Sequence, residues 1–339
     1  MKFIFIYFYN NLLHLYFLLI SFVFVINNSI IFFISQTCII NINKFFLLKN
    51  NILHNYMVEY RIIKKDDIDI TKINTTYDCG GRFGNIFIRN FVVEYIAKKN
   101  NLKIIYERYD QFEKLGIKLY IGENTYEETL LITDENIDSI IFDDNIFNTY
   151  ALNRNIIFKQ CSYNPFNLIE WSWCQTPSIV SYIRNTVNYE NRVYDSNPYK
   201  ERYGINNDLF IHVRLDDTAE FKFNVLYEYY DNIIDKIYNS DNYKNSPHYN
   251  TGISYITSDS INHDICQRLI NKYGLKIYDS DEIDTVQFGS TCQNIVLSNG
   301  TYSWLIGLLS FKSNVHYPNI KIKWHGNIFV YPDWHKVGW

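Results

Sequence analysis

The residues best suited to chemistry lie in Ile211-His212-Val213-Arg214-Leu215-Asp216-Asp217. Strand alternation puts Phe210, His212 and Arg214 on one face and Ile211 and Val213 on the other, so an apolar strand ends in a guanidinium. A guanidinium stays charged and can grip a pyrophosphate through two parallel hydrogen bonds. The chemistry expected of Arg214 is to hold a nucleoside diphosphate and stabilise it as a leaving group. The competing reading is an ion pair from Arg214 to Asp216 or Asp217 at the strand end. Gly80-Gly81-Arg82-Phe83-Gly84-Asn85 is the second feature. Its glycines allow tight turns and close backbone approach, and the helix start after them offers N–H groups and a positive dipole end to an anion. Ser258 and Asp259 follow another strand, where the carboxylate can accept from a nucleobase edge or ribose hydroxyls, or the pair can cap a helix. Asn299, Thr301 and Ser303 offer hydrogen bonds near a further helix start, beside a Trp304 that reads as core.

These residues need strands that end together. From Asp78 onward, short apolar runs alternate with amphipathic helical patterns, the signature of βα units and a parallel sheet. A first series opens with the glycine motif and a helix whose rows are Phe87, Phe91, Tyr95 and Ile88, Val92, Ile96, ending over 98–101; a strand follows at 102–106. The second series predicts strands at 208–214, 253–257, 275–278, 294–297 and 328–331, with helices near 224–238, 261–273 and 301–311. The expected fold class is α/β, with two facing Rossmann-type domains: 57–203 on the acceptor side and 204–339 on the donor side, behind an apolar segment 1–56. Pro198 and Gly204 break periodicity at the boundary.

His212-Val213-Arg214-Leu215-Asp216-Asp217 resembles the H-x-R-R/L-x-D motif of the α-1,2-fucosyltransferase family and of its α-1,6 and protein-O relatives. Gly80 to Asn85 is similar to that family's G-G-R-x-G-N-Q-x-F signature, with Ile86 at the Gln position and Ile88 at the Phe position. Tyr255-Ile256-Thr257-Ser258-Asp259 resembles its strand ending in Ser-Asp, and 295–304 its S-N-S-S/T-F-S-W-W block, in the same order and spacing. The resemblance implies a GT-B-like, inverting transfer of L-fucose from GDP-fucose to a glycan hydroxyl, O-2 of a galactoside. It implies Arg214 as the catalytic group. It implies donor binding by Gly81, Arg82, Gly84, Asn85, His212, Arg214, Asp217, Ser258, Asp259, Asn299, Thr301 and Ser303. Leu215 and Asp216 depart from the pattern where many members carry a second Arg and a Gly; Gly300 replaces a hydroxyl residue, and the paired Trp is reduced to Trp304-Leu305. The alternatives are a GT-B transferase using another nucleotide sugar and a non-catalytic, membrane-anchored carbohydrate-binding protein. No general base is assigned; Asp217, His212 and Asp216 are nearest in sequence.

Asp279-Ser280-Asp281 is a possible D-x-D metal motif, but its late position and the presence of Arg214 favour a metal-independent reaction with no cofactor. Six cysteines form no C-x-x-C pair, which argues against a structural metal; buried reduced thiols are the favoured reading, with Cys161–Cys174 the pairing expected if the domain is luminal. Asn74-Thr75-Thr76 is a glycosylation sequon if that region is luminal. After Tyr56 the chain holds 29 basic and 36 acidic residues, a net of −7, which argues against a nucleic-acid partner. No Asp, Glu, Lys or Arg occurs over 3–43, and 12–34 is apolar enough to span a membrane as a single-pass signal anchor. Translation from Met57 would instead give a soluble cytoplasmic protein. Oligomeric state is left open by the sequence.

Overall fold

The computed structural model describes residues 58–76, 82–159, 173–189, 191–216, 225–319 and 327–338. The expected membrane segment 12–34 lies outside them, as do Gly81, Asp217 and Cys161. Among the described residues no helix is long and apolar enough to cross a membrane.

Strand β1 (Ile62–Lys64) precedes helix α1 (Phe83–Asn100), then come β2 (Glu128–Ile132), β3 (Asn155–Phe158) and α2 (Pro177–Tyr189). In α1 the side chains of Phe83, Ile86, Phe87, Ile88, Val92, Val93 and Ile96 are all fully buried. A helix apolar on every side has to run through a core rather than lie on it. It ends where expected, with Lys98 and Lys99 at the negative end of the helix dipole and Asn101 left-handed at φ 50°. The sheet of this half is smaller than a Rossmann sheet: β1 pairs antiparallel with β2, and β2 parallel with β3. The strand expected at 102–106 reduces to isolated bridges, Leu102 with Asn124 and Ile105 with Thr75. Leu102 N is already bonded to Ala97 O of the helix end, and Ile105 is 63% exposed, so no continuous ladder forms there.

The second half follows the predicted alternation closely. It contains β4 (Leu209–Val213), α3 (Tyr227–Asn239), β5 (Ser254–Ser258), α4 (Asp264–Tyr273), β6 (Lys276–Ile277), α5 (Glu282–Gly289), β7 (Asn294–Val296), α6 (Thr301–Leu308), β8 (Asn314–Pro318) and β9 (His335–Val337). All six strands are parallel, in the order β6-β5-β4-β7-β8-β9. Counting β4 as first, this is 3-2-1-4-5-6, the order of a Rossmann sheet, whose direction of winding reverses between β4 and β7. The strand expected at 328–331 is not one. Ile328, Phe329 and Tyr331 are buried in the core as irregular chain, and the ladder is extended by β8 and β9 instead.

The alternation on β4 divides the core as the sequence required. Ile211 and Val213 face α3 and α4 with Ile233 and Leu269, whereas Phe210 joins Ile295, Leu297 and Val315 in the core that also holds α1 and α6. Each of these fully buried side chains contributes about 1.5–3 kcal/mol over its exposed state. That second core crosses the boundary expected near 190–206. Arg184 of α2 grips Asp333 with two bonds of 2.6 Å, and Tyr331 Oη donates to Val180 O at 2.8 Å. Residues Tyr60–Trp339 accordingly form one compact unit.

The sequon is corrected here. Asn74 is 2% exposed, its Nδ2 donates to Asn155 Oδ1 at 2.9 Å and its Oδ1 accepts from Ile156 N at 2.9 Å. An amide committed to the interior in this way is not an acceptor for a glycan in the folded protein.

Candidate functional site

The carboxyl ends of β4, β5 and β7 bring most of the described candidate residues together. Gly84 and Asn85 do not form a turn before α1 but lie within its first turn. What the missing side chain of Gly84 provides is contact: a Cβ there would stand 2.6 Å from both Thr301 O and Tyr302 N, on the backbone of α6. At the neighbouring Gly300 (φ 101°), a Cβ would overlap Arg214 Nη1. Two glycines thus seat the start of α1 on the start of α6, and the start of α6 on the Arg214 guanidinium. Neither helix start carries a side-chain cap. Two positive dipole ends and a guanidinium converge at the switch point of the sheet, an arrangement suited to an anion.

Polar side chains tie this point down. Asn85 Oδ1 accepts from Thr301 Oγ1 at 2.7 Å and from Gln175 Nε2 at 3.0 Å. Ser303, fully buried, places its Oγ 2.6 Å from His212 Nδ1. Ser303 Oγ also reaches Asn299 O at 3.4 Å. The His212 ring lies 5.3 Å from that of Tyr302, whose hydroxyl donates to Glu282 O at 2.6 Å. Trp304 is core, as expected, with Nε1 donating to Tyr331 Oη at 3.2 Å.

The competing ion-pair reading is answered for Asp216 alone, since Asp217 lies outside the described residues. Asp216 pairs not with Arg214 but with Arg82, whose Nη2 is 2.5 Å from Asp216 Oδ2 and whose Nη1 is 2.8 Å from Asp259 Oδ2. The other oxygen of Asp259 accepts from Leu215 N at 2.9 Å. Arg82 therefore spans from the start of α1 to the ends of β4 and β5, neutralising two carboxylates there. Neither Ser258 nor Asp259 caps α4: Ser258 Oγ accepts from Ser260 N at 3.0 Å, and His263 supplies the cap. In the D-x-D sequence, Asp281 Oδ1 caps α5 through Ile283 N and Asp284 N at 2.9 and 2.8 Å. Among the described residues no group of three or more metal-ligating side chains is present.

Four participants were not singled out from the sequence. Gln175 is 90 residues from Asn85; Tyr302 and Glu282 meet through a backbone carbonyl; and Arg108 reaches Glu282 Oε2 at 2.7 Å. Cys174, the described half of the candidate disulfide, is buried, and its N–H donates to Asp134 Oδ1 at 2.7 Å. Burial raises the Asp134 carboxyl to about 6 against the opposing effect of its N–H donors and Arg89.

His212 is held neutral. Burial, reinforced by Arg214 and Arg82 and opposed by Asp259, lowers its pKa to about 4. Burial first, then His335 and Lys236, lowers His316 to about 4 as well. A histidine whose folded pKa lies below its unfolded value of about 6.5 contributes stability that is complete above pH 6.5 and is lost as pH falls towards 4. For His212 the full term is on the order of 3 kcal/mol. Asp134 acts in the opposite sense between about 4 and 6, because the folded protein binds its proton first, and it offsets part of the loss. Urea denaturation should show stability falling from pH 7 to 4.5, with a shallower fall in His212→Gln; equal slopes for the two proteins would refute the assignment.

No family model matches the chain, and neither a curated protein nor a solved structure matches it.

Proposed function

We propose that this protein is an inverting glycosyltransferase whose cleft at the ends of β4, β5 and β7 binds the diphosphate of a nucleotide sugar, GDP-fucose by the sequence resemblance. The observation that carries the reading is the convergence of two uncapped helix starts on Arg214, made possible by Gly84 and Gly300. In this reading the 204–339 half is the donor side and the 57–203 half the acceptor side of a GT-B-like arrangement. The bond from the anomeric carbon to the β-phosphate oxygen breaks while an acceptor hydroxyl oxygen bonds to that carbon from the opposite face, and the hydroxyl proton leaves to solvent. Charge builds on the departing diphosphate. In this reading Arg214 and the two helix starts stand beside that charge before the reaction begins, so stabilising it requires little reorganisation.

Supporting roles follow from position. Asp259 stands at the end of the strand next to β4, where a carboxylate meets the ribose of a nucleotide bound to a sheet of this order. Arg82 keeps that carboxylate and Asp216 from repelling the phosphates. His212, neutral and bonded to Ser303, serves to hold α6 against β4. The acceptor is a glycan, O-2 of a galactoside by the same resemblance, and the transfer needs no metal because the guanidinium and helix starts carry the charge. A membrane anchor over 12–34 is part of the proposal.

Calorimetric titration of the protein with GDP and UDP, followed by a donor screen against galactosides with and without EDTA, tests this. GDP binding and EDTA-insensitive fucosyl transfer are the expected results. Preferential UDP binding would assign another nucleotide sugar. Tight GDP binding without transfer to any galactoside would point away from this acceptor, and no nucleotide binding would overturn the reading.

A further inference from the structure

We propose that His316 and His335 form a two-histidine site for a divalent transition-metal ion, of the kind that imidazole ligands suit, on the α3 face of the sheet at its β8–β9 edge. The inference is independent of the reading of the cleft. The two residues are register partners on the parallel strands β8 and β9. Val315 and Tyr317 are buried in the core that holds α1 and α6, so strand alternation turns His316 to the other face. Val337 packs against the core on the α3 side, which puts His335, two residues earlier, on that same face. The two ring centroids are 4.9 Å apart, with the ring planes inclined by 30°.

The ring spacing carries the site. A zinc ion about 2.0–2.1 Å from one nitrogen of each ring, with its two bonds about 90–110° apart, holds the ring centres roughly 4.5–5.2 Å from each other. The two rings already stand at that separation. His316 Nδ1 is shut off from solvent, and among the described residues nothing bonds to it. A buried polar atom in that state calls for a partner such as a water or an ion. His335 is exposed, so its ring can turn to bring a nitrogen to the same ion. Burial keeps the His316 ring neutral, and a neutral imidazole is the form that binds metal. Lys236 of α3 opposes a cation here but is exposed and can swing aside; Asp333, held by Arg184, acts on His335 with the opposite sign. Two side chains leave the other coordination positions to water, which makes the site open and exchangeable rather than closed. Its effect falls on β9, which is three residues long and has β8 as its one neighbour in the sheet. An ion held by both rings ties that strand down.

Titration of the full chain with Zn²⁺ near neutral pH, followed by histidine side-chain NMR and by thermal denaturation, tests the site. The expected result is an ion that shifts the His316 and His335 ring resonances together, raises Tm and is removed by EDTA. His335→Ala, at an exposed position, is expected to weaken this binding at least about tenfold and to abolish the rise in Tm. Mg²⁺ at the same concentration should do neither, because it takes oxygen ligands. Ring resonances that do not move with Zn²⁺ overturn the inference. So does equal Zn²⁺ affinity in the wild-type protein and His335→Ala, because the ion then sits elsewhere on the chain. An equal response to Mg²⁺ overturns it as well, since charge rather than imidazole ligation would explain the effect. If His335→Ala does not fold, His335→Gln decides on the same titration, with an unchanged Zn²⁺ affinity again counting against the site.

Discussion

Arg214→Ala is expected to lower glycosyl transfer by at least about tenfold, equivalent to about 1.4 kcal/mol of transition-state stabilisation, and to weaken GDP binding with it. The side chain stands at the end of β4, where the sheet reverses its winding, and the absence of a Cβ on Gly300 leaves the space that its Nη1 occupies. Of the two carboxylates that the sequence offered as its ion-pair partner, Asp216 is bound to Arg82, and Asp217 lies outside the described residues. Lysine at the same position keeps the charge but not the planar fork, so Arg214→Lys should recover only part of the activity. Initial rates at saturating and limiting donor, with GDP titration alongside, separate loss of binding from loss of catalysis. Full activity in Arg214→Ala would remove the residue from the mechanism.

Gly84→Ala carries the second large effect, with two opposing contributions. Alanine in a helix is favoured over glycine by about 1 kcal/mol. Against this, the new Cβ would stand 2.6 Å from Thr301 O and Tyr302 N, and these are backbone atoms of α6 that cannot turn aside as a side-chain tip can. Overpacking a core contact costs about 1–3 kcal/mol, and here it also separates the two helix starts. The expected result is a lower Tm together with weaker pyrophosphate binding. Tm is measured by thermal denaturation, pyrophosphate affinity by titration. A higher Tm, as propensity alone would give, would show that α1 and α6 are not in the described contact.

Much of the carboxyl-terminal half was legible because its signals are local. Alternation over 209–213 required one face for Phe210 and another for Ile211 and Val213, and the two cores divide in that way. Helix α1 was readable from its apolar rows, and so was its end at the lysines and Asn101. Other features were hidden by competing local signals. The run at 328–331 is apolar enough for a strand but is spent on packing, whereas β8 carries His316 and ends in Pro318, and so resembles a loop. Asn74 fits a sequon by three letters, but its burial depends on Asn155 and Ile156, 81 and 82 residues away.

The sequence by itself determined where the candidate residues would stand: Arg82, Gly84, Asn85, His212, Arg214, Ser258, Asp259, Asn299, Thr301 and Ser303 lie at or near the ends of elements whose periods are written in a few neighbouring residues. Only the tertiary structure decided their pairing. Arg82 meets Asp259 across 177 residues and Asn85 meets Thr301 across 216, distances over which no periodicity carries information. The glycines show why. Gly84 and Gly300 look like turn residues in the sequence, yet their function is the space they leave, and that space exists only once α1, α6 and β4 are packed together.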